Sequence, residues 1–481
     1  MALLVQTVTG RTMAELTTAR DRATVGDLVE LRLDGIADLD VGAALRGRSR
    51  PVVVTCRPLW EGGSFTGGEE QRRSILSNAL SLGADYVDVE WRAGFDEVIR
   101  QAPSRVVLSA HDFEGIPPDL DDRVRRMRAA GTALIKIAVT TRRLTDTLGL
   151  TRIGKGGNAV VIGMGEAGVP SRLLASQYGS VWSYSGNGVA PGQIPAARMV
   201  DEFLFRRIGP STRLFGVVST NALHSFSPAM HNAALCAAGI DGAYVPLRAA
   251  DFDDFVTYAA AIGIEGASVT IPYKVDALQA ASRADERTRE VGAANTIRRG
   301  ANGWDATNTD VDGFLEPLDT SYGASLGGIR AAVLGAGGAA RAVIVALKSR
   351  NAMVSVHARR REQAVALAQA LGVAAGEWPP PAGSWDLLVN STPLGGAGSH
   401  DVSPLDRERL TGQFVYDLTY GGTESALLCD ARAMGCRTLD GLPMLIAQAE
   451  RQFEWWTGQR PVPGVMADAV QKKVKNVERT L

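Results

Sequence analysis

The chain has 481 residues, which is too long for one ordinary hydrophobic core, so two or three domains are expected. Hydrophobic residues make up 45% and charged residues 21%, the mix typical of a water-soluble globular protein. The formal net charge is -1, and this balance excludes the basic surface that binding to nucleic acid or to an anionic membrane requires.

The sparse cysteines indicate a reducing compartment, and the N-terminal sequence indicates a protein that is not secreted. Four cysteines are scattered without the spacing of metal ligands, so no metal is expected: Cys56, Cys236, Cys429 and Cys436. The N-terminal sequence MALLVQTVTGRT lacks the pattern of a signal peptide, and no run of 18 apolar residues follows. A cytoplasmic location is therefore predicted.

The first 200 residues alternate between strand-like and helix-like segments. Helical stretches such as 69–82 and 121–130 separate eight strand candidates, which are 3–9, 28–34, 51–57, 86–91, 105–111, 133–139, 159–165 and 181–186. Eight strands with helices between them favour parallel pairing. We therefore predict an N-terminal (β/α)8 TIM barrel with its active site at the C-terminal ends of the strands.

The sixth candidate strand contains a lysine within an apolar run. In LIKIAVT (134–140), alternation places Lys136 on the same face as Leu134 and Ala138. A lysine buried against the outer helices would be costly, so this face is expected to line the barrel interior. Charged side chains from other strands converge there: Glu30, Arg57, Glu61, Glu90 and His111. An ion-pair network would explain any one of them, but convergence of the whole set favours a catalytic site.

Several of these groups suit the chemistry of a lysine nucleophile. An amine must lose its proton to attack a carbonyl, and its ordinary pKa is about 10.4. Both signs of charge lie near Lys136, so the sequence leaves its pKa open. His111 is a natural proton carrier near neutral pH, while Arg32, Arg57 and Arg172 offer guanidinium groups to an anionic substrate.

Residues 1–208 resemble the type I 3-dehydroquinate dehydratase family along their whole length. The resemblance rests on segments in a specific order: ELRLD (30–34), VTCRPLWEGG (54–63), YVDVE (86–90), SAHDF (109–113), IKIA (135–138), MGEAGVPSR (164–172) and APGQ (190–193). It implies that Lys136 forms an imine with the substrate ketone, which makes the adjacent C–H acidic.

The same resemblance implies roles for the other side chains. His111 removes the proton and later protonates the departing hydroxyl, Glu61 assists His111, and Arg172 holds the substrate carboxylate. Four further side chains would shape the pocket: Glu30, Arg32, Arg57 and Gln193. Val189 stands where the family often has a serine, so one hydrogen bond to the substrate is expected to be weakened without an effect on any chemical step.

The second half contains the pattern of a dinucleotide-binding fold. The junction FRRIGPSTR (205–213) precedes an α/β segment, and LGGIRAAVLGAGGAAR (326–341) then reads as strand, glycine-rich turn and helix. The second strand ends at His357 instead of an acidic residue, and Arg359, Arg360 and Arg361 follow. Guanidinium groups without a carboxylate favour a 2′-phosphate and hence NADP(H). The alternative is that these arginines are a solvated helix start.

Residues 213–481 resemble the shikimate dehydrogenase family. The matching segments are SFSPAMHN (225–232), ASVTIPYK (267–274), GAANT (292–296), TNTDVDGF (307–314), NSTPLG (390–395), YDLTYGG (416–422) and GLPMLIAQAERQFEWWTG (441–458). The resemblance implies a catalytic dyad of Lys274, which exchanges a proton with the C3 oxygen, and Asp310, which holds the lysine.

The resemblance also implies the binding residues. The carboxylate would contact Ser225, Ser227 and Tyr420, and the ring hydroxyls would contact Thr270, Asn295 and Gln448. The expected cofactor-binding residues are Gly335, Ala336, Gly337, Gly338, Ala339, Arg341, His357, Arg359, Arg360, Thr392, Leu418 and Gly441. Ser268 stands where many members have asparagine, and the arginine run replaces the commoner Asn-Arg-Thr.

The two halves together predict a bifunctional enzyme of aromatic amino acid biosynthesis. The expected domains are a barrel (1–208), a substrate-binding lobe (213–325 plus 440–481) and a Rossmann NADP-binding lobe (326–439). They would convert 3-dehydroquinate to 3-dehydroshikimate and then to shikimate. A quinate or quinate/shikimate dehydrogenase in the second half is the closest alternative, and a ligand-sensing regulator built from such domains is a distant one. Oligomeric state and domain placement stay open.

Overall fold

A computed structural model describes residues 1–186, 188, 191–396, 398–421 and 423–478. Val189 therefore lies outside the described residues. The chain divides into two compact units. Unit 1 comprises Met1–Leu214, Asn221–Leu223 and Asp241–Gly263, and unit 2 comprises Phe215–Thr220, His224–Ile240 and the chain from Ile264 onwards. The predicted boundaries of the three domains remain predictions.

The described part of unit 1 is built around a sheet of eight parallel strands in the order β7-β6-β5-β4-β3-β2-β1-β8. The strands are β1 (Leu3–Val8), β2 (Leu28–Arg32), β3 (Val52–Thr55), β4 (Tyr86–Glu90), β5 (Val106–Asp112), β6 (Leu134–Thr140), β7 (Ala159–Met164) and β8 (Trp182–Ser185). The backbone N–H of Val181 donates to the carbonyl of Ala159 at 2.9 Å. This bond joins the two ends of the sheet and nearly closes it, which confirms the predicted barrel.

An α-helix follows each of the eight barrel strands. They are α1 (Met13–Arg22), α2 (Val41–Leu45), α3 (Glu69–Ser81), α4 (Asp96–Gln101), α5 (Leu120–Ala129), α6 (Leu148–Lys155), α7 (Val169–Leu173) and α8 (Ala196–Asp201). The Thr12 side chain caps α1 by accepting from the N–H of Glu15, and Asp40 caps α2 by accepting from Ala43.

One buried apolar cluster fills much of the barrel interior. It contains Val5, Leu28, Val53, Val107, Leu134, Ala138, Val160, Ile162, Met164, Trp182 and Tyr184. Burying each aliphatic side chain of this size contributes about 1.5–3 kcal/mol. Because Leu134 and Ala138 belong to the cluster, Lys136 between them also faces the interior, as the strand alternation predicted.

Four elements follow the barrel in sequence. They are β9 (Arg213–Ser219), α9 (Ser227–Ala237), β10 (Gly242–Arg248) and α10 (Phe252–Ile262). β10 and α10 belong to unit 1. α10 begins after Asp251, whose side chain accepts from the N–H of Asp254 at 2.7 Å, and ends at Gly263, which has a φ of 89°.

The first layer of unit 2 contains strands in the order β9-β11-β13-β14-β12. They include β11 (Ile264–Val269), β12 (Ala281–Ala284), β13 (Thr296–Gly300) and β14 (Gly303–Thr307). β13 is antiparallel to β11 and to β14, whereas β12 is parallel to β14. The helices here are α11 (Lys274–Gln279), α12 (Glu286–Val291) and α13 (Asp310–Tyr322).

The second layer of unit 2 is a parallel sheet in the order β17-β16-β15-β18-β19-β20. Its strands are β15 (Arg330–Leu334), β16 (Met353–His357), β17 (Ala374–Ala375), β18 (Leu387–Asn390), β19 (Phe414–Asp417) and β20 (Arg437–Leu439). The strand order reverses between β15 and β18, and ligands of such sheets bind at that crevice. The predicted Rossmann arrangement is confirmed.

The helices around this sheet are α14 (Gly338–Ser349), α15 (Arg361–Leu371), α16 (Ala426–Ala433), α17 (Leu442–Thr457) and α18 (Val465–Glu478). α17 returns to the first layer, where the Trp456 indole donates to the carbonyl of Ile297 at 3.0 Å. Gly313 permits close packing, because a Cβ there would lie 2.7 Å from the Cβ of Gln448. Among the described residues, no helix is both long enough and apolar enough to cross a membrane.

Candidate active sites

Lys136 lies in a charged pocket inside the barrel. Its Nζ donates to Oδ2 of Asp88 at 3.0 Å and lies 3.9 Å from Oε1 of Glu30. The ammonium also lies 4.4 Å from the ring centroid of Tyr184, a favourable cation–π geometry. Only 5% of Lys136 is exposed, so its amine interacts with neighbouring side chains and hardly at all with solvent.

Asp88 connects the lysine to an arginine. Its Oδ1 lies 2.8 Å from Nη2 of Arg57 and accepts from the Ser109 hydroxyl at 2.6 Å. Burial alone would raise the pKa of Asp88, but the charges of Arg57 and Lys136 lower it overall. The carboxylate therefore stays ionised.

The charge network continues outward from Arg57. Arg57 donates to Oε1 of Glu90 at 2.7 Å, and the other carboxylate oxygen of Glu90 accepts from Arg72. Arg72 is fully buried, and its guanidinium lies 4.5 Å from the centroid of the Phe95 ring. Positive and negative groups thus alternate from Lys136 to Arg72, so that each buried charge has a partner.

His111 and Glu61 lie together at the end of β5. Nδ1 of His111 lies 3.3 Å from Oε1 of Glu61, and the same oxygen accepts from the backbone N–H of His111 at 2.8 Å. Burial, reinforced by the charges of Arg57 and Lys136, lowers the pKa of His111 well below its ordinary value. The imidazole is therefore neutral at neutral pH and able to accept a proton.

Glu30 and Arg32 are fixed by neighbours at the end of β2. Glu30 accepts from the hydroxyls of Thr7 and Thr55 at 2.7 and 2.8 Å. Arg32 forms two parallel hydrogen bonds of 2.8 Å with Asp34. The predicted pocket residues Glu30, Arg32 and Arg57 are thus held in place by contacts within the barrel.

Arg172 is a buried cation without a carboxylate partner in the described part of the chain. It lies in α7, is 2% exposed, and its Nη2 donates to the carbonyl of Pro191 at 3.2 Å. Its Nε has no hydrogen-bond partner among the described residues. Burial lowers the pKa of Arg172 to about 10. Such a group is an incomplete site for an anion.

Gln193 lies beside the end of β8. A Cβ at Gly186 would come within 2.7 Å of its Oε1, so the glycine gives this amide space.

In unit 2, Lys274 and Asp310 form an ion pair. Nζ of Lys274 donates to Oδ2 of Asp310 at 2.6 Å, and the other carboxylate oxygen accepts from Asn295 at 2.7 Å. The Asn295 amide also lies 3.4 Å from Oε1 of Gln448. Lys274 begins α11 and Asp310 begins α13. The structure therefore brings together four residues that the sequence predicted for one site.

Ser225, Ser227 and Tyr420 surround the start of α9. The Ser225 hydroxyl accepts from the N–H of Ser227 at 3.1 Å, and the rings of Phe226 and Tyr420 lie 5.6 Å apart. Nζ of Lys473, in α18, donates to the carbonyl of Ser225 at 2.7 Å. Hydroxyls, a helix N-terminus and an ammonium group at one place suit a carboxylate.

Thr270 and Ser268 lie on either side of the end of β11. The Thr270 N–H donates to the carbonyl of Val218 at 3.2 Å, which fixes the loop before Lys274. The Ser268 hydroxyl donates to Gln452 at 2.6 Å. Ser268 therefore supports α17.

The glycine-rich turn lies beside Lys274. Gly335 has a φ of 108°, and Gly337 caps the 12-residue helix α14 without a side-chain hydrogen bond. A Cβ at Gly338 would lie 2.9 Å from Cδ of Lys274. The absence of a side chain at Gly338 leaves space for the Lys274 side chain. The N-terminus of α14, which has no side-chain cap, can then bind a phosphate.

The other predicted cofactor residues cluster around this turn. Thr392 donates to Asn390 at 2.7 Å, and its Cγ2 would lie 3.3 Å from a Cβ at Gly335. Gly441 packs on the carbonyl of Leu418, which a Cβ would approach to 2.4 Å. Ala336 and Ala339 are half-buried within the turn, and Arg341 lies in the first turn of α14.

The His357 side chain is held within the fold, and its predicted contact with the cofactor remains a prediction. The imidazole is buried: its Nδ1 lies 2.6 Å from the carbonyl of Glu377 and its Nε2 lies 2.9 Å from the Ser355 hydroxyl. Both ring nitrogens are engaged within the fold. Arg359 and Arg360 are exposed immediately after it, so guanidinium groups are the ones that this strand end offers to a ligand.

Comparison with known proteins relates both units to enzyme families. Family models match the type I 3-dehydroquinases over residues 5–208, the shikimate dehydrogenase substrate binding domain over 217–297, and the shikimate 5′-dehydrogenase C-terminal domain over 441–471. The bifunctional 3-dehydroquinate dehydratase/shikimate dehydrogenase of Arabidopsis thaliana, a chloroplastic protein, is 32% identical over 471 residues, covering 90% of this chain and 78% of that protein.

The chain belongs to this bifunctional dehydroquinate dehydratase–shikimate dehydrogenase family. The NADP(+) shikimate dehydrogenase of Acidiphilium cryptum (strain JF-5) is 41% identical over 257 residues, or 52% of this chain and 92% of that protein. A crystal structure of a shikimate dehydrogenase in complex with NADP+ is 31% identical with a TM-score of 0.52. The matched region covers 55% of this chain and 96% of the chain in that crystal structure.

Sequence analysis missed several residues that the bifunctional fold places at these sites. Asp88 and Tyr184 contact Lys136, Arg72 contacts Glu90, and Lys473 contacts Ser225. The alternation of β4 contained a signal for Asp88, which shares an inward face with Glu90. Lys473 had no local signal, because it lies 248 residues from its partner.

His231 is a buried histidine of unit 2. It is 1% exposed, and its ring lies 5.1 Å from that of Trp456. Burial lowers the pKa of His231 to about 3, against a smaller raising effect of Gln452. The folded chain therefore keeps this imidazole neutral at pH values where the unfolded chain protonates it.

We expect this histidine to make stability depend on pH. Between the unfolded pKa of about 6.5 and the folded pKa of about 3, only the unfolded state binds the proton. As the pH is lowered through this range, His231 alone should reduce the free energy of unfolding by about 1.4 kcal/mol per pH unit. Urea unfolding between pH 6 and pH 5 should show a correspondingly smaller slope in His231→Gln. The exposed His224→Gln should keep the original slope, and an equal slope in all three proteins would contradict the assignment.

Proposed function

We propose that this chain dehydrates 3-dehydroquinate to 3-dehydroshikimate and then reduces that product to shikimate with NADPH. The observation that carries the proposal is the presence, on one chain of this family, of a buried lysine beside a neutral histidine and of a separate lysine–aspartate pair beside a glycine-rich turn. We propose residues 1–208, 213–325 plus 440–481, and 326–439 as the functional domains. A cytoplasmic location remains a prediction.

The dehydration begins when Lys136 gives up one proton and its amine attacks the substrate ketone, whose oxygen takes up that proton. Loss of water gives a protonated imine, which withdraws electrons from the neighbouring C–H bond. His111 takes that proton, and the electron pair expels the β-hydroxyl, which receives a proton from the imidazolium. Water then hydrolyses the imine and frees the amine.

The contacts around His111 support this assignment. A general base must be unprotonated at the start, and its lowered pKa meets that requirement. Glu61, held at 3.3 Å from Nδ1, orients the ring and stabilises the imidazolium once it forms. The substrate carboxylate supplies the anion that Arg172 lacks.

Replacing Lys136 with alanine should abolish dehydration, because it removes the amine that forms the imine. Activity is expected to fall at least about 10³-fold, as for other covalent catalysts, while shikimate oxidation stays unchanged. Borohydride with 3-dehydroquinate should add the mass of one reduced imine to the wild-type chain, on the peptide containing Lys136. Lys155→Ala, which removes an exposed lysine of α6, serves as the control. Labelling of Lys136→Ala to the wild-type extent would contradict the assignment.

In the second reaction, Lys274 donates a proton to the carbonyl oxygen that becomes the C3 hydroxyl. Asp310 holds the ammonium at 2.6 Å and is itself held by Asn295. When bound, NADPH supplies the hydride. The open N-terminus of α14 and the space at Gly338 fit the cofactor's phosphates and bring it next to Lys274.

Substrate carboxylate and ring hydroxyls have separate sets of partners. We assign the carboxylate to Ser225, Ser227 and Tyr420, with Lys473 adding positive charge. We assign the ring hydroxyls to Thr270, Asn295 and Gln448. The hydroxyl-bearing set of Ser225, Ser227 and Thr270 favours shikimate over quinate. Retention of all four central groups, Lys136, His111, Lys274 and Asp310, argues against a regulator without activity.

Replacing Lys274 with methionine should remove the proton donor and keep a side chain of similar length. The kcat of shikimate oxidation is expected to fall by about 10²–10⁴-fold, with a smaller change in KM and with dehydration unchanged. NADPH absorbance measures the rates. Lys472→Met, which changes an exposed lysine of α18, should behave as wild type. A comparable loss of dehydratase activity in Lys274→Met would instead indicate a general folding defect.

The cofactor preference is proposed to come from Arg359 and Arg360, because no carboxylate occupies the end of β16. The double variant Arg359→Ala/Arg360→Ala should raise the KM for NADPH by about 10²-fold, since two charge-assisted contacts of about 1.5–3 kcal/mol each are lost. The KM for NADH should change little. Arg407→Ala, at another exposed arginine, is the control. A parallel rise of both KM values would contradict a 2′-phosphate contact.

A further inference from the structure

Asp254 is a buried carboxylate that the two proposed reactions do not use. It lies in α10, within unit 1 and within the range matched by the shikimate dehydrogenase substrate binding domain. It is 1% exposed. Its oxygens accept from the N–H groups of Leu144, Thr145 and Ala250 at 2.9, 3.0 and 3.0 Å, and from the Thr145 hydroxyl at 2.8 Å.

The partners of Asp254 belong to the loop that follows the strand of Lys136. β6 ends at Thr140, and a 3₁₀ turn at Thr145–Thr147 leads into α6. The N–H groups of Leu144 and Thr145 lie at the start of this helical segment, where no backbone acceptor is available within the helix. The carboxylate supplies both acceptors, and its negative charge suits a helix N-terminus. A residue from 110 positions later in the chain thus holds this barrel loop.

A second contact from α10 reaches the connection between α7 and β8. The Tyr258 hydroxyl, also in α10, lies 3.1 Å from that of Tyr178, which lies 2.7 Å from the Thr147 hydroxyl. Tyr178 and Tyr258 are fully buried. Tyr178 follows α7, the helix that carries Arg172. The same segment therefore contacts the chain on both sides of β7, after Lys136 and after Arg172.

An ion pair at the edge extends this contact. Arg143 lies 2.8 Å from Asp251, which also caps α10, and its Nε lies 3.6 Å from Asp254. Asp254 is thus a partly neutralised charge surrounded by donors, and its loss would leave buried N–H groups without partners. The contact between α10 and the barrel therefore consists of the charged Asp254 with its donors and, beside it, the buried hydroxyls of Tyr178 and Tyr258.

We propose that residues 241–263 form a docking segment that completes the active-site rim of the barrel, so that dehydratase activity depends on a part of the chain belonging to the dehydrogenase sequence. This inference rests on the proposed dehydratase function. Through Asp254 the segment holds the loop that directly follows the strand of Lys136, and through Tyr258 it also supports the connection after α7. Small displacements of such groups reduce rates strongly, by up to about 10²-fold for 1 Å.

The test compares Asp254→Asn with Asp253→Asn in the full-length chain. Asp253 is the exposed neighbour in the same helix, so both variants remove one charge from α10. Asp254→Asn should lower kcat/KM for 3-dehydroquinate about tenfold, because the amide brings its own donors against the N–H groups of the loop. Shikimate oxidation should stay within twofold of wild type. Asp253→Asn should leave both activities unchanged.

A second variant tests the contact independently. Tyr258→Phe keeps the ring and removes the hydroxyl that meets Tyr178, so a loss of dehydratase efficiency smaller than that of Asp254→Asn is expected. Borohydride trapping at Lys136 should slow in parallel in Asp254→Asn. Equal dehydratase efficiency in Asp254→Asn and Asp253→Asn would overturn the inference, as would an equal loss of both activities. A wild-type chain without dehydratase activity would instead overturn the proposed function.

Discussion

The ion pair between Lys136 and Asp88 is the contact on which the interior of the barrel depends. Two charges removed from water are stable only when each has a close partner and further hydrogen bonds. Asp88 satisfies this condition by accepting from Lys136, Arg57 and Ser109. The ordered lysine, the ionised aspartate and the neutral histidine are therefore parts of one electrostatic arrangement, and the strand ends around them are built to hold it.

The two lysines of the proposed sites perform different chemistry because their surroundings differ. Lys136 stands in the middle of a strand, with a ring and two carboxylates around it and a neutral imidazole nearby. Lys274 stands at the start of a helix with a single carboxylate at 2.6 Å and a glycine turn beside its stem. In the first environment, the neutral imidazole of His111 can take up a proton during the proposed covalent steps. In the second, the carboxylate of Asp310 holds Lys274 in position as the proposed proton donor.

The sequence predicted the eight barrel strands, the inward face of β6 and the strand, glycine-rich turn and helix that open the nucleotide-binding sheet. These features follow from local patterns, namely the alternation within strands and the glycine-rich turn between a strand and a helix. The contacts of Asp88 and Lys473 join residues that are far apart in the chain, so local patterns do not reveal them. His357 was assigned to the cofactor from its place at a strand end, but the direction of its side chain depends on the later turn at Gly376 and Glu377. The helix α18 was not predicted, because it follows the last recognised motif.

Among the described residues no carboxylate pairs with Arg172, and this has a consequence for turnover. Burial lowers the pKa of Arg172 because removal from water destabilises the charged guanidinium, and a bound carboxylate would offset this cost. The dehydration does not change the substrate carboxylate, so the carboxylate of the product can bind Arg172 in the same way. We therefore expect substrate and product to compete for Arg172, and a dehydrogenase activity on the same chain that consumes the unsaturated ketone would reduce this competition.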